Sequence, residues 1–209
     1  MALEPFCAPP DHVVKEGVDT RISDHGIIGY RGPRQPRRPA WQFWKPYQWR
    51  NHMPARHIRR NLGAAMFDGY TKITAIRNPF DRAVSQFYFR PENRPAQGED
   101  FASIRKRFRE YVLTQRWGTD ARIVTIGDKV VVDLAVRKER MREDLDNIAG
   151  RLGLDRDRIQ LPHTKSQKAV RGAYKVAEYF DPDTIEAVKT RMAWVFDNFE
   201  YPPTPDGSA

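Results

Sequence analysis

A short stretch in the first half of the chain constrains the fold most: residues 72–89 read KITAIRNPFDRAVSQFYF. Residues 72–76 are predicted to form a short buried strand, and residues 81–89 the helix that follows it. Pro79 suits the first helical turn, because the N–H group that proline lacks has no helical partner there. The corner between strand and helix therefore predicts outward backbone N–H groups and the positive end of a helix, where an anion can bind.

Two side chains at this corner can contact such an anion. Arg77 stands at the end of the predicted strand, and Ser85 lies about two turns into the predicted helix. A guanidinium fork and a hydroxyl together suit an anionic group. The alternative is structural, since an arginine at such a corner is common and Arg77 can instead pair with Asp81.

The remaining pattern alternates strands with helices, which predicts an α/β fold with a parallel sheet. Residues 129–136 form a near-continuous apolar run, as expected for a strand covered on both faces. Asp181 is predicted to cap the last helix, with Pro182 in its first turn. Other helices are expected from Pro54 onward (with Ile58, Leu62 and Met66 on one face), over residues 101–116 and over residues 139–152. We expect one domain over residues 1–201, irregular at 1–50 and α/β at 51–201, with a tail at 202–209.

Positive charge is concentrated in one block of the chain. The formal net charge is +9, and residues 25–67 contain no Asp or Glu. Such a block attracts nucleic acid, acidic glycans, phospholipid or small sulfated and phosphorylated molecules. A solvated loop is the alternative explanation. The nine cations of the block are Arg31, Arg34, Arg37, Arg38, Lys45, Arg50, Arg56, Arg59 and Arg60.

An aromatic segment, WQFWKPYQW, falls within the same block. So many rings in so few residues are expected to be buried against a neighbouring element, in preference to stacking on a substrate. Its rings are those of Trp41, Phe43, Trp44, Tyr47 and Trp49.

The single cysteine, Cys7, fits a reducing compartment and excludes an internal disulfide. The N-terminal residues lack the basic and apolar segments of a secretory signal. No run of eighteen apolar residues predicts a transmembrane helix. A cytoplasmic location is therefore predicted, although an upstream extension would change that prediction.

Several segments, in order, resemble a known enzyme family. NHMPARHIRRNLG, KITAIRNPFDRAVSQFYF, VVDLAVRKERMREDL, LPHTKSQ and DNFEY are similar to the carbohydrate-type (family 2-like) sulfotransferases, which use 3′-phosphoadenylyl sulfate (PAPS). RNPFDRAVS carries most of the resemblance, which spans roughly residues 1–201. It implies a P-loop-nucleotide-hydrolase-like parallel sheet flanked by helices, and transfer of a sulfuryl group to a hydroxyl of a glycan or similar acceptor. No metal is required.

The resemblance also implies roles for individual residues. Arg77 and Ser85 would bind the 3′-phosphate of PAPS. LPHTKSQ resembles the loop that closes over the nucleotide, so Lys165 and Ser166 are further candidates. Arg171 and Lys168 would add positive charge there, on electrostatic grounds only.

His52 is the candidate base that takes the proton of the acceptor hydroxyl, since the ordinary pKa of histidine suits that task. A structural role, capping the helix that begins near Pro54, is the alternative. His57 and His163 are poorer candidates. Glu139 also matches a family position, but we expect it to be structural and to pair with a basic neighbour.

One family motif has no counterpart in this sequence. The family holds the 5′-phosphosulfate with a loop of the type PKxGTS after its first strand, and no such loop precedes residue 50. Either the true start lies upstream, or the protein lacks the loop and is a weak catalyst or a degenerate, non-catalytic binder of the nucleotide product, 3′,5′-ADP. A polyanion or nucleic-acid binding module is the other alternative, although no helix-turn-helix, zinc-finger or RNA-binding signature supports nucleic acid.

Overall fold

The computed structural model describes residues 2–7, 19–23, 26–30, 39–42, 44–159, 161 and 174–207. They form a mixed α/β structure with a small parallel sheet flanked by helices, which confirms the predicted class at that level. The chain divides into two compact units. The first comprises Met1–Ala75, Arg122–Val136 and Arg140–His163, and the second comprises Ile76–Ala121, Arg137–Glu139 and Thr164–Ala209.

Six short strands form three two-stranded sheets among the described residues. β1 pairs with β2 and β4 with β5, both antiparallel. β3 pairs with β6 in the parallel sheet. The strands are β1 (Arg21–Ser23), β2 (Gly26–Ile28), β3 (Ile73–Ile76), β4 (Thr125–Ile126), β5 (Lys129–Val130) and β6 (Leu134–Arg137).

Eight α-helices lie within the described residues, and short 3-10 turns separate several of them. In that part of the chain no helix is both long and apolar enough to cross a membrane. The helices are α1 (Ala55–Leu62), α2 (Ala64–Gly69), α3 (Pro79–Phe89), α4 (Phe101–Thr114), α5 (Ala121–Val124), α6 (Met141–Leu152), α7 (Pro182–Arg191) and α8 (Ala193–Phe196).

Three sequence predictions about these elements are wrong. The run at 129–136 is two strands, because Lys129–Val130 pairs with β4 whereas Leu134 and the residues after it form β6, which pairs with β3. The helix that begins after Pro54 stops at Gly63 (φ 80°), so Met66 is exposed and Phe67 is the buried residue of α2. The region expected to be irregular, residues 1–50, contains the β1–β2 sheet.

In the first unit, α6 packs its apolar side against the ends of β3 and β6. Leu145 and Ile148 are buried there with Val136, and Ile73 and Leu134 pack against them. Apolar residues at helical spacing on α6 therefore cover one face of the parallel sheet.

Asp133 fixes the start of the β3–β6 pair. Its carboxylate accepts hydrogen bonds from the backbone N–H of Lys72 at 2.7 Å and pairs with the Lys72 ammonium at 2.9 Å. Burial alone would raise the pKa of Asp133, but the donors of Lys72 lower that pKa overall. One polar residue between β5 and β6 thus sets where the parallel pairing begins.

The second unit has an aromatic core built by α3, α4 and α7. Phe87 lies edge-on to Phe108 at 5.4 Å between ring centroids, and Phe108 lies edge-on to Tyr179 and Phe180 at 5.3 and 5.1 Å. Such pairs contribute about 0.5–1.5 kcal/mol each beyond the apolar area they bury. Side chains at the predicted helical spacing of α4, Ile104, Phe108 and Val112 among them, are buried as expected.

The predicted start of α7 is confirmed. The Asp181 carboxylate accepts the N–H of Thr184 at 2.9 Å, and the Thr184 hydroxyl accepts the N–H of Asp181 at the same distance. Pro182 occupies the first turn. This reciprocal cap satisfies two donors that would otherwise lack partners at the helix end.

Candidate functional site

The strand-to-helix corner predicted from the sequence is present in the second unit. β3 ends at Ile76 and α3 begins at Pro79. The Asn78 side chain accepts the N–H groups of Phe80 and Asp81, at 2.9 and 3.2 Å. Asn78 therefore ends the strand and caps the helix, which fixes the direction in which the first turn of α3 points.

The guanidinium of Arg77 is ion-paired with the carboxylate of Asp81, one helical turn along the chain. Both side chains are half-buried. This contact is the structural alternative that the sequence left open for Arg77. Any anion bound by Arg77 would therefore share it with Asp81 or displace Asp81 from it.

Ser85 lies on the same face of α3 as Asp81, because residues four apart are neighbours on a helix surface. It is half-buried, and its hydroxyl makes no hydrogen bond to any described residue. The Arg77–Asp81 pair places the guanidinium at the N-terminal end of this face. That Arg77 and Ser85 act together on one anion stays a prediction.

The backbone donors of the corner are used internally. Phe80 and Asp81 donate to Asn78, the N–H of Arg82 reaches the Asn78 carbonyl at 2.8 Å, and the N–H of Asn78 itself reaches Glu139. The first turn of α3 is a capped helix start, and side chains are the groups left to recognise an anion there.

Glu139 has a different partner from the one predicted. Its carboxylate accepts the backbone N–H of Asn78 at 2.8 Å and the hydroxyl of Tyr201 at 2.9 Å. The expected pairing with a basic neighbour is therefore wrong within the described residues. Tyr201 is a residue that sequence reasoning missed, because no local pattern links it to positions more than sixty residues earlier.

His52 lies in an exposed turn of the first unit, with a backbone φ of 54°. It does not cap α1, whose N-cap position is Pro54 and receives no side-chain hydrogen bond. The capping alternative is therefore wrong. Arg77 and Ser85 belong to the second unit, and the role of His52 as a base stays a prediction.

Three other predicted site residues lie outside the described residues. They are Lys165, Ser166 and Arg171, all in the segment that resembles a nucleotide-covering loop. Lys168 and His163 fall in the same segment.

Three of the four described rings of the aromatic segment, those of Trp41, Trp44 and Tyr47, are exposed, which contradicts the prediction that they are buried. Trp41 is 62% exposed and Trp44 is 58% exposed, with their ring centroids 5.8 Å apart. Tyr47 is attached to α1: its backbone N–H and carbonyl bond the Asn61 side chain at 2.8 and 2.7 Å. Two polar contacts, and not burial of rings, hold the segment against the helix.

Tyr47 also stacks on His57, with ring centroids 3.7 Å apart and planes 15° apart. The Arg60 guanidinium lies 5.1 Å from the Tyr47 ring centroid. Burial lowers the pKa of His57, and the charges of four arginines lower it further. Those arginines are Arg56, Arg50, Arg60 and Arg122.

A cleft of about 350 Å³ opens beside Tyr47 in the first unit. Tyr30, Tyr47 and Trp49 give it flat walls. Thr20 contributes a buried hydroxyl that has no hydrogen-bond partner in the described structure. The remaining lining residues are Asp19, Pro46 and Gln48.

Comparison of the chain with protein-family models, with curated proteins and with solved structures found no match. The resemblance to sulfotransferases therefore rests on the motif residues themselves.

Proposed function

We propose that the chain binds 3′-phosphoadenosine nucleotides at the Arg77–Ser85 face of α3, and that it acts as a PAPS-dependent sulfotransferase of the carbohydrate type. One observation carries the proposal. Arg77 follows β3 and pairs with Asp81 in the first turn of α3, and Ser85 lies four residues beyond Asp81 on the same helix. The spacing matches the family motif that holds the 3′-phosphate.

The electrostatics of this face suit a phosphate group. A guanidinium can donate two parallel hydrogen bonds to phosphate oxygens, and a serine hydroxyl adds a third donor. Asp81 opposes binding, because its carboxylate competes for the same guanidinium. A phosphate dianion carries more negative charge than a carboxylate. Electrostatic attraction to the Arg77 guanidinium therefore favours replacement of Asp81 by the ligand.

The proposed reaction places a hydroxyl of the acceptor in line with the sulfur of PAPS. The oxygen–sulfur bond to the acceptor forms as the bond to the leaving phosphate breaks, and negative charge develops on 3′,5′-ADP. Holding the 3′-phosphate positions the donor for this attack. His52 is proposed to take the hydroxyl proton.

The sequence contains no PKxGTS-like loop, which in the family neutralises the leaving phosphate. Loss of one comparable donor costs on the order of a hundredfold or more in rate. For this chain we therefore propose measurable nucleotide binding together with slow sulfuryl transfer.

Isothermal titration calorimetry with 3′,5′-ADP and with 5′-AMP tests the binding proposal. We expect 3′,5′-ADP to bind and 5′-AMP, which lacks the 3′-phosphate, to bind at least tenfold more weakly, since a charge-assisted hydrogen bond contributes about 1.5–3 kcal/mol. Arg77→Ala and Ser85→Ala should each weaken binding of 3′,5′-ADP while leaving that of 5′-AMP unchanged.

Arg116→Ala is the matched control, since it removes the same charge from an exposed position of the same unit. Equal affinity for the two nucleotides, or equal losses in the Arg77 and Arg116 variants, would overturn the proposal. Sulfuryl transfer is assayed separately, as release of 3′,5′-ADP from PAPS with an unsulfated chondroitin oligosaccharide, and His52→Ala should abolish it without changing nucleotide affinity.

A further inference from the structure

The first unit presents a surface of exposed rings and cations, which we call the Tyr47 surface. It comprises the described rings of the aromatic segment (Trp41, Trp44, Tyr47 and Trp49), the basic helix α1 to which Tyr47 is bonded, and Arg50 and Arg122, whose charges act on His57 of that helix. Trp41 and Trp44 are more than half exposed. Exposed tryptophans on a monomer are uncommon enough to indicate a binding surface.

The cations of this surface lack acidic partners. Arg50, Arg56, Arg60 and Arg122 all act electrostatically on His57, and none of them pairs with a carboxylate among the described residues. Arg56 instead contacts the His57 imidazole at 3.4 Å, and Arg60 contacts the Tyr47 hydroxyl at 3.4 Å. Of the three arginines of α1, only Arg59 has an acidic partner, Asp68 at 3.3 Å. Arg56 and Arg60, which contact the Tyr47–His57 stack and have no acidic partner among the described residues, favour a bound anion.

The cleft beside Tyr47 supplies a second kind of recognition. Its walls include the flat side chains of Tyr30, Tyr47 and Trp49, and Trp49 directly precedes Arg50 in the chain. The Thr20 hydroxyl inside it has no hydrogen-bond partner in the described structure. A planar ring with polar edges fits such walls and can satisfy that hydroxyl.

We propose that the Tyr47 surface binds single-stranded nucleic acid. Bases would stack on Trp41 and Trp44 and enter the cleft, and phosphates would contact Arg50 and Arg60. Surfaces that bind single strands without sequence preference combine these two features, stacking rings and a cationic track. An acidic glycan would use the cations and could pack its sugar rings on the tryptophans, but it offers no planar ring to the flat walls of the cleft.

Nucleic acid is proposed as the ligand because the tryptophan rings are exposed and can stack on bases. The sequence alone had predicted that these rings were buried. The inference is independent of the sulfotransferase proposal, since none of its residues is Arg77 or Ser85 and all of them belong to the first unit.

Fluorescence anisotropy with a labelled oligothymidylate of about 15 nucleotides tests the inference at a series of salt concentrations. We expect binding that weakens as salt rises, with a log–log slope of about −0.7 for each phosphate neutralised. Binding should also quench tryptophan fluorescence, because stacked bases quench exposed indoles. Unlabelled oligothymidylate should compete better than heparin of equal charge.

Substitutions separate stacking from charge. Trp41→Ala and Trp44→Ala should each weaken binding by about 1–3 kcal/mol and reduce the quenching, while the salt slope stays the same. Arg50→Ala and Arg60→Ala should each reduce the magnitude of the salt slope by about one phosphate contact. Arg116→Ala is the control and should bind the oligonucleotide as the unchanged chain does.

Three results would overturn the inference. The first is the absence of an anisotropy change at low salt. The second is binding that causes no tryptophan quenching and is displaced by heparin more readily than by DNA, which would indicate a surface for acidic glycans. The third is an effect of Arg116→Ala as large as that of Arg60→Ala. Circular dichroism of each variant confirms that it is folded, and Trp41 and Trp44 are exposed enough for their loss to leave the core intact.

Discussion

Arg77 and Asp81 form an ion pair across the first turn of α3, at the point where the family motif would hold a phosphate. The pair holds the Arg77 guanidinium against the first turn of α3. Asp81 is therefore the internal competitor of the proposed ligand.

Asp81→Asn should tighten binding of 3′,5′-ADP, because it removes the negative charge that competes for Arg77. An increase of about tenfold is expected, the effect of one partly exposed charge of about 1.4 kcal/mol. Calorimetric titration measures it. Asp197→Asn removes the same charge from an exposed position of the same unit and serves as the control. Weaker binding by the Asp81 variant would show that Asp81 organises Arg77 for the ligand.

Glu139 supports the same corner through two hydrogen bonds. Glu139→Ala loses the contacts with the Asn78 N–H and the Tyr201 hydroxyl and should lower the free energy of unfolding by about 1 kcal/mol, since the carboxylate is exposed. Glu139→Gln keeps an acceptor for the Asn78 N–H, so it should lower the free energy of unfolding by less than half of that amount. Urea unfolding measures both variants. Equal losses would mean that charge, and not the acceptor, is what the corner requires.

Phe87 and Phe89 test how burial on α3 determines stability. The Phe87 side chain is 0% exposed and the Phe89 side chain is 74% exposed. Phe87→Ala should lower the free energy of unfolding by about 3–5 kcal/mol, because it leaves a cavity in the aromatic core. Phe89→Ala should change it by less than about 0.5 kcal/mol. Similar losses in the two variants would contradict the described packing of α3.

Tyr88 and Tyr179 share a buried hydrogen bond of 2.8 Å between their hydroxyls. Tyr88→Phe should destabilise the protein by about 1–3 kcal/mol, since it removes a buried hydrogen bond from the Tyr179 hydroxyl. The double change to Phe at both positions should cost less than the sum of the single changes. A double-mutant cycle from denaturant unfolding measures the coupling.

Tyr111 is the control for that cycle. Its hydroxyl is buried and has no partner in the described structure, and burial raises the pKa of Tyr111 to about 12. Tyr111→Phe should therefore be neutral or stabilising. A clear loss of stability would show that the hydroxyl does have a partner.

His57 should make stability depend on pH. Burial, together with Arg56, Arg50, Arg60 and Arg122, lowers the pKa of His57 below 6.5. The unfolded chain then binds a proton more readily than the folded one, so the free energy of unfolding should rise with pH from the folded pKa up to 6.5. NMR titration of the imidazole measures that pKa. Arg56→Ala and Arg60→Ala should each raise it, and a value at or above 6.5 would contradict the described cluster.

Local sequence signals predicted the elements whose caps and periodicity agree. Asn78 with Pro79, and Asp181 with Pro182, mark the starts of α3 and α7, and the apolar spacing of Ile104 and Phe108 marks the buried face of α4. Local signals failed to predict where one strand ends and the next begins within an apolar run. Within the run at 129–136 the polar residue Asp133 separates β5 from β6, but composition does not show that β5 pairs with β4 while β6 pairs with β3.

By itself the sequence determined which residues can form the corner, because a strand end, an N-cap and a proline are local preferences encoded within a few positions. Only the tertiary structure decided which partners the charged side chains of the corner have. The pairing of Arg77 with Asp81 and the reach of Glu139 to Tyr201 depend on which side chains packing brings within hydrogen-bond distance. It likewise decided that Trp41 and Trp44 face solvent, because Tyr47 is held to α1 by polar contacts and the surrounding rings find no core to enter.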